Sequence, residues 1–154
     1  MARAGFTAIS SGRIKFGKDG LWYSDDEVIP NRAIRRLFSK ALLVGPDGRA
    51  RLELGEDRAE VLIEDTPWVV THVDGDPATG FTILLNDETS EPLDPATLSI
   101  GADDVLYGRV KGGAHRARFL RPAYYALMRH VETTPEGRFV LPVAGRRVPL
   151  AAGA

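Results

Sequence analysis

Two stretches of this chain, Ile14–Leu54 and Leu106–Val140, run through the same order of residue classes. That repetition constrains the fold more than any single motif. Lys18-Asp19-Gly20 answers Lys111-Gly112-Gly113, and the helix anchors Ile34, Leu37 and Phe38 answer Tyr124, Leu127 and Met128. Pro46-Asp47-Gly48-Arg49 answers Pro135-Glu136-Gly137-Arg138. Each stretch predicts strand, glycine turn, strand, helix, turn and strand, because apolar spacing changes from two-residue to helical periodicity between turn residues. The expectation is an α+β protein made by tandem duplication of a small strand-turn-strand-helix-strand unit. The units are 1–88 and 89–154, sharing an interface and folding together.

Local signals place the elements. Trp22 and Tyr23 alternate, so one ring belongs to the core and the other faces outward. Asn31 is a suitable N-cap for a first helix whose Ile34, Leu37, Phe38, Ala41 and Leu42 make one apolar face. Pro67, which cannot donate to a ladder, marks the start or edge of a strand over 68–73. Asp74–Gly80 reads as a loop, and Phe81–Leu85 as its hairpin return. Pro92, Pro95 and Gly101 punctuate 91–104, the best boundary between the units. In the second unit, Gly112-Gly113 turns a hairpin and Pro122 suits the first turn of a helix running to about Val131. That helix buries Tyr124, Leu127, Met128 and Val131. Strands over 138–143 and 146–150 close the unit, and Ala151–Ala154 reads as a frayed tail.

Function is less legible. The chain has no cysteine, which excludes disulfides, thiolate metal sites and thiol nucleophiles. His72, His115 and His130 stand apart, so no metal site is expected. No P-loop, GxGxxG, HExxH or GxSxG spacing occurs. Gly108–Gly113 is glycine-rich, but no helix follows it directly. There is no long apolar run and no apolar leader in MARAGFTAISSGR, so a cytoplasmic protein away from membranes is expected.

Charge is uneven: residues 1–104 hold 11 Lys/Arg against 19 Asp/Glu, and residues 105–154 hold 9 against 2. The acidic half would repel phosphates, which argues against a nucleic-acid groove. The basic half pairs with the acidic one or holds an anion. Arg109, Lys111, Arg118 and Arg121 cluster in a segment almost free of acids, and guanidinium forks suit phosphate or carboxylate. Trp68 or Tyr125 could stack a base, and Asn86 sits where the chain crosses between units, where clefts concentrate.

The order and identity of Ile14–Gly20–Trp22, Arg36-Leu37-Phe38 and Glu64-Asp65-Thr66-Pro67-Trp68-Val69-Val70 resemble the bacterial domain-of-unknown-function 1285 family. So do Val110-Lys111-Gly112-Gly113 and Arg121-Pro122-Ala123-Tyr124-Tyr125. The likeness spans roughly Ile14–Leu150; Asn31-Arg32 stand where the family has a Thr-His pair. The resemblance implies the duplication, a second unit superficially like a pleckstrin-homology fold, and a site between the units for a nucleotide-like ligand. It also implies a link to signalling, and no catalytic residues. The leading expectation is a binding or regulatory module with Trp68, Asn86, Arg109, Lys111, Arg118, Arg121 and Tyr125 at its ligand site. The rivals are a small hydrolase using Asp65 or Asp87 with His72 or His115, and a protein-interaction scaffold.

Overall fold

The computed structural model describes residues 13–152. Ser10, Ser11 and the last two residues of the predicted tail lie outside them. The chain is α+β and divides into two compact units, residues 1–68 with 86–88, and residues 69–85 with 89–154.

The first unit holds β1 (Ile14–Phe16), β2 (Trp22–Ser24), β3 (Glu27–Val28), α1 (Arg32–Ala41), β4 (Leu42–Val44), β5 (Ala50–Leu54) and β6 (Asp57–Ile63). Its sheet order is β3-β2-β1-β6-β5-β4, with β1 and β6 parallel and the other pairs antiparallel. Strand alternation sends Ile14, Phe16, Trp22, Ala50, Leu52 and Val61 to one buried face. Asn31 caps α1 as expected, its side-chain oxygen accepting from the Ile34 N–H at 3.1 Å. Phe38 and Leu42 are buried, and Trp22 packs between Phe16 and Phe38 with ring centroids 5.0 and 5.5 Å apart.

The predicted apolar face of α1 holds except at one place: Phe38 and Leu42 are buried and Ile34 and Ala41 half-buried. Leu37 is 41% exposed, whereas Ser39 is buried. The Ser39 hydroxyl accepts from Trp22 Nε1 at 2.9 Å and from Asn86 Nδ2 at 2.8 Å. A buried indole N–H needs an acceptor, and Ser39, facing inward beside Phe38 to meet that need, leaves Leu37 on the solvent side. Glu88 joins the same helix, reaching Lys40 at 3.0 Å and Arg36 at 3.2 Å. The hydrogen bond from Lys40 leads in holding its carboxyl below the usual range.

The second unit begins with β7 (Trp68–Asp76, its first residue counted with the first unit), β8 (Gly80–Leu85), β9 (Ser90–Pro92) and β10 (Ser99–Ile100). It continues with β11 (Leu106–Val110), β12 (His115–Phe119), α2 (Arg121–Met128), β13 (Glu132–Thr133), β14 (Phe139–Val143), β15 (Arg146–Pro149) and β16 (Ala151–Ala152). One sheet runs β16-β10-β11-β12-β7-β8-β9 and another β13-β14-β15. The β7–β8 hairpin, expected in the first unit, therefore builds the second unit's sheet, since β7 lies beside β12. The segment expected to link the units contributes two strands of that sheet. Ala151–Ala152 is not frayed; it pairs in parallel with Ser99–Ile100. Helix α2 stops at Met128, short of Val131, and buries Ala123 and Leu127 completely.

A local pattern recurs in both units. Between β4 and β5, the Gly45 N–H donates to the Arg49 carbonyl and the Gly48 N–H to the Gly45 carbonyl, both at 2.9 Å. Between β13 and β14, Thr134 donates to Arg138 and Gly137 to Thr134, both at 2.8 Å. Gly48 and Gly137 share a φ of 82°, which suits glycine best. The sheets that carry these turns are paired differently: β1 lies beside β6, whereas β15 belongs to a sheet apart from β11.

Strand β7 runs three residues past its predicted end, because Asp76 closes the turn. Its Oδ1 accepts from the N–H groups of Ala78 and Thr79 at 2.8 and 3.0 Å, and from the Thr79 hydroxyl at 3.1 Å. Those bonds, the Thr79 N–H first, hold its carboxyl below the ordinary aspartate range. A lowered folded-state pKa gives stability that is present above the unfolded value, about 3.9, and is lost as pH falls through the folded one. Asp76→Ala should therefore lower the melting temperature at neutral pH, and the gap from the parent should shrink below about pH 4. Thermal melts across pH check this; a gap unchanged down to acid pH contradicts it.

Candidate functional site

The β11–β12 hairpin sets the second unit's basic groups in register. Tyr107 lies opposite Arg118 and Arg109 opposite Arg116, so these four share one face while Ala117 and Phe119 are buried on the other. The Arg116 guanidinium lies 3.6 Å from the centre of the Tyr107 ring, a cation–π contact. Gly108 sits on the buried face, where an added Cβ would stand 3.3 Å from the Phe119 ring and 3.5 Å from Leu98. The glycines of this motif thus serve close packing and a tight turn.

Leu120 follows β12 directly as the N-cap residue of α2, its N–H donating to the Val70 carbonyl at 3.0 Å. This puts Arg121 in the first helical turn and Tyr124 and Tyr125 one turn on, their rings edge-to-face at 5.3 Å. Before β11, Asp103 and Asp104 take left-handed φ of 57° and 59°. Aspartate tolerates this conformation better than most side chains. These pieces line one shallow cleft of about 290 Å³, with Asp103 and Asp104 beside Arg118, Arg121, Tyr124 and Tyr125, and with Val105, Leu106 and Phe119 among its lining.

Three of the seven predicted site residues, Arg118, Arg121 and Tyr125, therefore meet in one cleft. Arg118 is half-buried; Arg121 and Tyr125 are exposed. Arg109 does not line this cleft: it is exposed on β11, and its N–H donates to Thr97 Oγ1 at 3.0 Å. Lys111 is engaged within its own unit. Its N–H points at both oxygens of Glu91, at 3.0 and 3.1 Å, and its Nζ reaches Thr89 Oγ1 at 3.1 Å. Trp68 and Asn86 belong to the first unit, where Trp68 is buried and Asn86 donates to Ser39. Asp103 and Asp104 were not expected; the only sequence signal is an acidic pair just before an almost acid-free basic segment.

The hydrolase residues fall apart by unit: Asp65 and Asp87 belong to the first, His72 and His115 to the second. Neither unit by itself holds an acid–imidazole pair from this set. His72 is exposed and lies 3.1 Å from Thr71 Oγ1. Among the described residues, no group of three or more His, Asp or Glu side chains gathers as a metal site. None of their helices is long and apolar enough to cross a membrane.

No family model and no curated protein matches this chain. Two solved structures do. A DUF1285 family protein from Silicibacter pomeroyi DSS-3 superposes with a TM-score of 0.70 at 18% identity, covering 99% of this chain and 97% of that one. The chain has the DUF1285 fold. A second DUF1285 family protein, from Shewanella baltica OS155, gives a TM-score of 0.58 at 18% identity, over 77% of this chain and 92% of that one. The DUF1285 resemblance carried by the sequence motifs thus meets a DUF1285 architecture over nearly the whole chain.

Proposed function

We propose that this chain is a DUF1285 family member that works as a small-ligand-binding module, not as an enzyme. In this reading the second unit holds the anionic group of its ligand at the cleft of Asp103–Asp104, Arg118, Arg121 and Tyr125. One observation carries the proposal: residues from three separate elements, two of them arginines and two tyrosines, converge on a single cleft. Arginine forks bind carboxylate or phosphate, and a tyrosine ring offers a flat apolar surface for the rest of the ligand. A nucleotide-like molecule is one candidate of this kind. Reversible capture of such a ligand suits a cytoplasmic regulator in signalling, which completes the functional reading.

The same proposal extends to the fold. The matching turns at Gly45–Arg49 and Thr134–Arg138, and the shared order of hairpin, helix and strands, support descent of both units from one ancestor. The antiparallel sheets and α-helix of the second unit support its likeness to a pleckstrin-homology domain.

Calorimetry of the parent protein against nucleoside monophosphates and small carboxylates tests the functional proposal. Arg121→Ala should weaken the best anion by about 1.5–3 kcal/mol, the range for a charged hydrogen bond. Failure of the parent to bind any carboxylate or phosphate compound, free amino acids included, or an Arg121→Ala protein that binds as well as the parent, overturns it.

A further inference from the structure

We infer that the ligand is a zwitterion, a free α-amino acid with an aromatic or large aliphatic side chain. This rests on the cleft being the binding site proposed above, and it names the ligand class. Arg121, Asp103 and Asp104 line the same cleft, yet among the described residues none of the three makes an ion pair within 4.0 Å. Charges of both signs thus border one space without neutralising each other across it.

That arrangement discriminates between ligands. A purely anionic molecule at the arginines would sit close to two carboxylates, and like charges so placed oppose binding. A molecule with an ammonium group beside its carboxylate satisfies both walls. The carboxylate accepts from the Arg121 guanidinium, with Arg118 on the same wall, while the ammonium donates to Asp103 or Asp104. Tyr124 and Tyr125 then receive an apolar side chain, at ring faces and edges already set at 81° to each other. The volume, about 290 Å³, lies at the small end of ligand sites, which suits an amino acid better than a larger cofactor.

The test is calorimetry of the full chain against the natural aromatic and aliphatic amino acids, followed by blocked forms of the best binder. Its N-acetyl derivative keeps only the negative charge, and its amide keeps only the positive one. Each should bind at least about tenfold more weakly than the free amino acid, a tenfold change being one decade in Kd. The variant Asp103→Asn/Asp104→Asn removes both negative charges, and asparagine accepts the same left-handed φ. It should weaken the free amino acid about tenfold and leave the N-acetyl form unchanged or tighter. Circular dichroism checks that the variant folds; if it does not, the comparison of blocked forms on the parent decides alone. Binding of the N-acetyl form or of a nucleotide as tightly as any free amino acid overturns the zwitterion but leaves the anion site standing. No binding by any probe overturns both.

Discussion

Leu127→Ala should destabilise the second unit by about 2–5 kcal/mol, the cost of a leucine deleted from a closed core. Leu37→Ala should cost less than about 0.5 kcal/mol, as surface substitutions usually do. The two residues hold equivalent places in the sequence repeat, so a core role for both is the natural reading of the periodicity. The structure separates them. Leu127 is 0% exposed on α2, and Leu37 is 41% exposed on α1. Leu127→Ala removes packed methyls and leaves a cavity that neighbouring side chains only partly fill, whereas Leu37→Ala trims a side chain already in contact with water. Calorimetric melts of both variants check the pair. A loss at Leu37 equal to that at Leu127 would mean that α1 buries the stripe predicted from its sequence.

That difference shows what the sequence carries and what it leaves out. Turn and cap signals are local chemistry, so they were readable: Asn31 caps α1, Pro67 precedes β7, and Lys111-Gly112-Gly113 turns the hairpin on three positive φ angles. Strand and helix periodicity also survives, as Trp22 inside and Tyr23 partly outside attest. What periodicity cannot see is a polar demand arising from another element. Ser39 is buried because Trp22 and Asn86 both bring it N–H donors, and those partners lie 17 and 47 residues away. The inward setting of Ser39 follows from that long-range pairing. Leu37 and Ser39 stand two residues apart, about 200° around the helix, so the one faces solvent when the other faces inward.

The candidate site divides in the same way. Arg118, Arg121 and Tyr125 fall within eight residues of chain, and a strand leading straight into a helix is enough to bring them to one cleft. Asp103 and Asp104 join them through the pairing of β11 with β12: Tyr107 lies opposite Arg118, so the residues just before β11 arrive beside the start of α2. The hairpin was legible from Gly112-Gly113, but its register was not. Lys111 shows the reverse. Its charge and glycine neighbours suggested an anion site, but the anion at its N–H is the protein's own Glu91. Asn86, expected at a ligand, donates to Ser39 instead. Basic and polar residues in loops have more than one available partner, and only the fold decides which one they meet.

Phe38→Ala should cost the first unit about 3–5 kcal/mol. The Phe38 ring is 0% exposed, and its edge-to-face contact with Trp22 has centroids 5.5 Å apart at 83°. Aromatic pairs of this geometry add to the stabilisation from burial alone. Trp22 is also 0% exposed and is held on its other side by Phe16 at 5.0 Å, so the three rings form the centre of this small core. Deleting one ring leaves the indole with a void on one face while its N–H is still tied to Ser39, the neighbour of Phe38 on α1. Collapse to fill that void would move Trp22 off the Ser39 hydroxyl, so packing and hydrogen bonding cannot both recover. Phe38→Leu, which keeps most of the volume, should lose less than half as much. Trp22 lies within this cluster, so its fluorescence in urea, read in a Trp68→Phe background because Trp68 opens β7, reports the core directly. A midpoint for Phe38→Ala that matches the parent's, with an unchanged slope, would mean that the aromatic cluster is not the centre of this core.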